Sequence, residues 1–275
     1  MIVRAPATSA NLGPGFDCAA VALALWNELE VTPGEGVVVE GEGAGELPAD
    51  GSNLAVRAFA LRADPAGRRF RFRNRIPLER GLGSSAAAIA LGLAAAAPGA
   101  PAEELLAAGG ELEGHADNLA AALVGGVTLT VDGRIARVAD RLPLQPVAVI
   151  PRERTSTAAS REALPATVAH ADAAATAGRA ALLGAAVAAG DAALFAAALH
   201  DRLHEPYRPS AVLEAVRADP PAGARGATLS GSGPTVLVWA DDPHACAAAL
   251  RDRYPGHEVL ALEVAATGAL AGRTS

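Results

Sequence analysis

The sequence predicts a mixed fold of strands and helices in two parts, and three observations carry that reading. Residues 68–76, Arg-Arg-Phe-Arg-Phe-Arg-Asn-Arg-Ile, alternate polar and apolar with the period of a strand. The Ala-rich run at 86–97 has no such alternation and stops at Pro98-Gly99, which reads as a helix and its end. The stretch from Pro151 to Ser160 is polar and turn-rich, and it divides a first part, residues 1–150, from a second, residues 151–275.

The elements follow in order. Strands are expected at 2–5 and 26–32, with a Gly/Pro/Asn-rich loop at 9–17 and an apolar run at 18–25 between them. Residues 37–42 alternate as a strand, 43–51 read as a loop and 53–63 as a helix. After the 68–76 strand and the 86–97 helix come helices at 102–113 and 117–124, then strands at 126–131 and 146–150. The second part opens with a loop at 151–160 and continues with helices at 161–164, 166–189, 191–204 and 209–217. A strand at 225–229, a Gly-rich turn at 230–234, a strand at 235–240, a helix at 243–252 and a strand at 258–264 complete it. The tail, 266–275, is expected to fray.

Composition narrows the function. Hydrophobic residues make up 51% of the chain, enough for a full core, so disorder is excluded. Aromatics are only 3%, which argues against a stacking platform for single-stranded nucleic acid, and a net charge of −7 argues against nucleic acid in general. All 23 cationic side chains are arginine. A nucleotide site here must therefore work without the lysine of a P-loop. Cys18 and Cys246 lie far apart with no metal spacing, and Met1 to Pro6 contain no signal-peptide core. The expectation is a reduced, cytoplasmic protein without a membrane partner; the base rate for soluble oligomers makes a homodimer the default.

Three segments carry chemistry. In Gly81-Leu82-Gly83-Ser84-Ser85-Ala86-Ala87 a turn opens directly into a helix. Two glycines let the backbone approach an anion, and the unpaired N–H groups of the helix start add positive potential. The plain alternative is a turn capped by Ser84 or Ser85. The opening segment, Pro6 to Asp17, is rich in residues with special backbone geometry and offers Asn11 and Asp17 on a constrained loop. The third, Glu111 to Asn118, crowds polar side chains between two apolar helices. Glu111 or Glu113 could hold Mg²⁺, Asp117 and Asn118 stand at a helix start, and His115 has no partner at metal spacing.

Together these segments resemble the GHMP kinases, the family named for galactokinase, homoserine kinase, mevalonate kinase and phosphomevalonate kinase. Pro77 to Ala87 is similar to the family's ATP-binding motif, and Leu229-Ser230-Gly231-Ser232-Gly233-Pro234-Thr235 to its third, glycine-rich motif. The opening segment and Glu113 to Asn118 resemble the homoserine-phosphorylating branch in particular. The likeness covers nearly the whole chain. It departs at Glu79 and Arg80, which stand where small residues are usual, and at Leu119-Ala120-Ala121.

The resemblance implies an α+β, two-domain GHMP kinase fold, with an N-terminal domain like ribosomal protein S5 domain 2 and a ferredoxin-like C-terminal domain. It implies ATP and Mg²⁺ as cofactors. ATP would be held by Pro77, Gly81, Leu82, Gly83, Ser84, Ser85, Ala86 and Ala87, with adenine in an apolar pocket near Asn53 and the 68–76 strand. Ser85 and Glu111 would bind the metal, with Glu113 as the competing ligand. Asn11, Asp17, Asp117 and Arg161 would bind an amino-acid substrate, and Asn118, Arg208 and Thr157 would complete the catalytic set. Asn118 is an amide where other members keep a carboxylate, so the transfer would proceed without a protein base. The rival readings are a GHMP kinase acting on a sugar, a mevalonate-like acid or another small alcohol, and a nucleotide-binding protein that has lost catalysis.

Overall fold

The computed structural model describes every residue of the chain except Glu113, His115, Gly272 and Ser275. Its elements run β1 (Ile2–Asn11), β2 (Gly15–Pro33), β3 (Val37–Gly41), α1 (Leu54–Ala60), β4 (Arg68–Asn74), α2 (Ser84–Ala96), α3 (Ala102–Gly110), α4 (Ala116–Val124), β5 (Val127–Val131), β6 (Arg134–Ala139) and β7 (Gln145–Ile150). They continue with α5 (Thr157–Glu162), α6 (His170–Ala189), α7 (Ala192–Ala198), a single 3₁₀ turn (Glu205–Tyr207), α8 (Ala211–Ala218), β8 (Ala224–Leu229), β9 (Val236–Ala240), α9 (Pro243–Arg253), β10 (Glu258–Ala261) and β11 (Arg273–Thr274).

Among the described residues the first sheet has seven strands in the order β11-β1-β2-β4-β3, with β5 pairing β2 and β6 pairing β5. The second is the antiparallel sheet β10-β7-β9-β8. β7 and β9 alternate between two cores, as a period of two requires. Val147, Val149, Val236 and Val238 meet Leu213 and Val216 of α8 and Leu250 of α9. Ala148, Ile150, Leu237 and Trp239 turn the other way into the large core shared with the first sheet. β7 thus belongs to the second sheet, and the division expected at 150/151 falls after it rather than before it.

α2 is apolar on nearly every side and is buried accordingly, between α1, α4 and the first sheet. It crosses α1 at Gly92, where a Cβ would come within 2.1 Å of Ala55 O. No helix among the described residues is long and apolar enough to cross a membrane.

Four local expectations are corrected. The loop expected at 9–17 shrinks to a turn at 12–14 between β1 and β2, because Asn11, Leu12 and Gly13 all take positive φ and reverse the chain within a few residues. β6 is a strand beyond those expected, and Asp132-Gly133, both at positive φ, form the two-residue hairpin turn that produces it. α7 ends at Ala198 rather than near 204, since Asp201 accepts from the N–H groups of Leu203, His204 and Glu205 and turns the chain. The tail does not simply fray. Ala269 N–H and Leu270 N–H donate to Ala122 O and Leu123 O, and Ala269 is fully buried.

Candidate active site

The phosphate-loop candidate lies where the two sheets meet. The N-cap of α2 is Gly83, at φ 66, and no side chain caps the helix. Ser84 and Ser85 are its first helical residues, so the capped-turn alternative does not hold. No side-chain cap competes for the first-turn backbone donors, which the helix dipole backs as a place for an anion.

Both glycines are required by close packing. A Cβ on Gly81 would stand 2.3 Å from Ser230 O and 2.8 Å from Gly233 O. One on Gly83 would stand 1.9 Å from Thr8 Oγ1 and 3.2 Å from Asn118 Oδ1. Ser230 Oγ donates to Gly81 O at 2.5 Å, binding the two glycine-rich turns to each other. Arg80 donates to Pro151 O and Arg152 O, both at 2.8 Å, and so clamps the loop to the chain leaving β7.

An open cleft lies over this loop. Asn11, Asp17, Gly81, Leu82, Gly83, Ser84, Ser85, Asp117, Asn118, Thr157, Arg161 and Arg208 all line it. A second lobe shares Glu79, Ser84 and Ser85 with the first. It is bounded by Leu47, Pro48, Leu54, Phe72, Leu78 and Leu91, with Asn53 at its edge. Asn53 caps α1 and holds Pro48 O through its amide, so it shapes this lobe.

The polar groups are tightly organised. Asn118 Oδ1 accepts from Thr8 Oγ1 at 2.7 Å. Asp117, 3% exposed, accepts from the backbone N–H of Asn118. Asn11 donates to Gly231 O and accepts from the Asp17 N–H, which pins the opening turn to the glycine-rich turn of the second part. Arg161 pairs with Asp17 at 2.6 Å. Arg161 and Arg208 both stand over the Phe16 ring, at 5.7 and 5.5 Å. Burial, and then the nearby Arg161, lower the pKa of Arg208 from its ordinary value. Two guanidiniums at one site are costly alone and favour an anion between them.

Some expected residues are not brought to the cleft. Ala86 and Ala87 are fully buried in the core, because the helical period turns them inward while Ser84, Ser85 and Ala88 face the lobes. Pro77 opens instead on a groove beside Arg152 and Arg154. Glu111 is exposed at the C-terminal end of α3 and does not line the cleft. Glu113 and His115 lie outside the described residues. No cluster of three His, Cys, Asp or Glu fit for a metal occurs among the described residues. Mg²⁺ beside a polyphosphate needs only one or two protein ligands, and Ser85, at the junction of the lobes, could supply one. Phe16 and Ser232, which lie within the motif segments, line the cleft and His204 stands behind it, although none of the three was expected as a site residue. Phe16 carried one signal, as one of only five phenylalanines in the chain.

Comparison with known proteins bears on this geometry. Residues 53–126 match the GHMP kinases N terminal domain, and residues 182–256 the GHMP kinases C terminal domain. The chain belongs to the GHMP kinases. This GHMP kinase is 42% identical to a homoserine kinase of Leifsonia xyli over 90% of its own length and 83% of the relative's. It is 44% identical to a homoserine kinase of Clavibacter michiganensis over 88% and 83%. A solved homoserine kinase from Cytophaga hutchinsonii, 25% identical, superposes with a TM-score of 0.82 over 97% of this chain and 96% of that one. The GHMP kinase thus has the family's two-domain α+β fold.

Proposed function

We propose that the protein transfers the γ-phosphoryl group of ATP to the side-chain hydroxyl of L-homoserine, yielding O-phospho-L-homoserine and ADP, a step of threonine biosynthesis. The observation that carries this reading is the uncapped start of α2 opening on a cleft that also holds Asp17, Arg161 and Arg208. Triphosphate lies over residues 81–85, and the base enters the apolar lobe bounded by Phe72 and Leu91.

Homoserine is a zwitterion. Its ammonium goes to Asp17, with Asp117 near, and its carboxylate to the guanidiniums of Arg161 and Arg208. Binding exchanges the Asp17–Arg161 pair for two pairs of opposite charge, so neither residue is left unpaired. Asn118 is held by Thr8 and orients the hydroxyl. The hydroxyl oxygen forms a bond to the γ-phosphorus as the bond to the β–γ bridging oxygen breaks and ADP leaves. An amide is no base, so the hydroxyl proton passes to a γ-phosphate oxygen, consistent with a loose transition state. When bound, Mg²⁺ neutralises phosphate charge, and Ser85 is the residue that would hold it.

The test is ADP release by the purified protein, measured with homoserine, serine, threonine, mevalonate and galactose. Turnover with homoserine alone, or far above the others, is expected. Turnover on another alcohol would move the assignment within the family, and none on any would leave a nucleotide-binding protein without catalysis.

A further inference from the structure

We propose that His204 is a positioning residue for the substrate carboxylate, holding Arg208 through a neutral imidazole of one fixed tautomer. The inference rests on the homoserine kinase reading. His204 has no exposed surface. Its Nε2 lies 2.8 Å from Gly13 O, and its Nδ1 lies 3.1 Å from Arg208 Nη1. A carbonyl oxygen can only accept and a guanidinium can only donate. Nε2 therefore carries the proton and Nδ1 offers its lone pair. A protonated ring would aim N–H at a donor, and the other tautomer would fail both contacts.

The rest of the arrangement fits that role. Arg208 also donates from Nη1 to Gly231 O and from Nε to Ser160 O. The two Nη2 hydrogens have no acceptor among the described residues. An arginine fixed at Nε and Nη1 thus keeps one end for a ligand in the cleft it lines. Phe16, which also lines the cleft, stacks on the His204 ring at 5.1 Å and 22°. Asp201 Oδ2 is 3.6 Å from Nε2 but accepts from two backbone N–H groups, so it does not compete for the Nε2 proton. The charged groups around the ring are Asp201, Arg208 and Asp17, and its pKa is lowered from the ordinary value chiefly by burial.

The experiment compares wild type, His204→Gln and His204→Leu by steady-state kinetics, varying homoserine and ATP separately. Glutamine can accept from Arg208 and donate to Gly13 O, whereas leucine keeps only the bulk. His204→Leu is expected to raise the Michaelis constant for homoserine about tenfold, as for one lost bond to a charged group. That for ATP stays within about twofold, and His204→Gln recovers most of the loss. An unchanged homoserine constant in His204→Leu, or an equal fall in activity with both substrates that glutamine does not relieve, overturns the inference. Should the leucine variant not fold, ¹⁵N NMR of wild type decides instead. A proton on Nε2 with an unprotonated Nδ1 at neutral pH supports the inference, and a proton on Nδ1 overturns it. A wild type that leaves homoserine untouched overturns the substrate reading and this inference with it. An active wild type with indifferent variants overturns the inference alone.

Discussion

Substituting Gly83 by alanine should injure the site through Thr8 rather than through the phosphate. The added methyl would lie 1.9 Å from Thr8 Oγ1, a distance that forces the hydroxyl away and breaks its bond to Asn118 Oδ1. Holding alanine at φ 66 costs about 1–2 kcal/mol. Overpacking adds about 1–3 kcal/mol. Thr8→Ala alone loses one hydrogen bond, about 0.5–1.5 kcal/mol. In the double variant the remaining close contacts are with Thr8 Cβ and Asn118 Oδ1, both at 3.2 Å, so most of the overpacking disappears. The double-mutant cycle, read by urea unfolding, should therefore show a favourable coupling of about 1–3 kcal/mol. Homoserine turnover should fall in both single variants, since each frees Asn118. Additive stabilities would refute this account and return Gly83 to a role set by phosphate approach.

Three further outcomes are expected. Arg161→Lys and Arg208→Lys should each raise the Michaelis constant for homoserine about tenfold to a hundredfold and leave that for ATP nearly unchanged, since an ammonium cannot form the two parallel bonds of a guanidinium; steady-state kinetics checks this. Deleting residues 267–275 removes β11 from the edge of the first sheet, two backbone hydrogen bonds to α4 and the buried Ala269, and should lower the melting temperature. The His204 pKa is lowered on folding, so between the folded value and the ordinary 6.5 the unfolded chain binds a proton that the folded one does not. Its contribution is complete above pH 6.5 and is lost as pH falls below it, so urea midpoints should drop more steeply on acidification in wild type than in His204→Gln.

Much of the site was legible because its signals are local. Gly81 to Ser85 spell a turn into a helix, and the structure makes Gly83 the N-cap. The motif read as a continuous string, however, included Ala86 and Ala87, which the helical period sends into the core. The reason for Gly83 was also hidden, since it depends on Thr8, many residues away in sequence. Arg161 and Arg208 were placed through segments that resemble a substrate pocket, and both do line the cleft. His204 and Phe16 gave no comparable signal, because their place is set by contacts among Gly13, Arg208 and each other that no spacing encodes. β6 and the docked tail were missed for a similar reason: their apolar patterns are weak, and tertiary pairing holds them.

The seam between the two sheets consists largely of main-chain oxygens. Gly231 O receives Asn11, Arg80 reaches Pro151 O and Arg152 O, and Gly231 N–H donates to Ala10 O. Every residue supplies a carbonyl whatever its side chain, so one partner at these joints is indifferent to substitution. The seam constrains the path of the backbone and leaves much of the composition open. Substitution at a position that contributes only its carbonyl leaves these joints intact as long as the backbone keeps its course, while donors such as Asn11 and Arg80 are tied to their side chains.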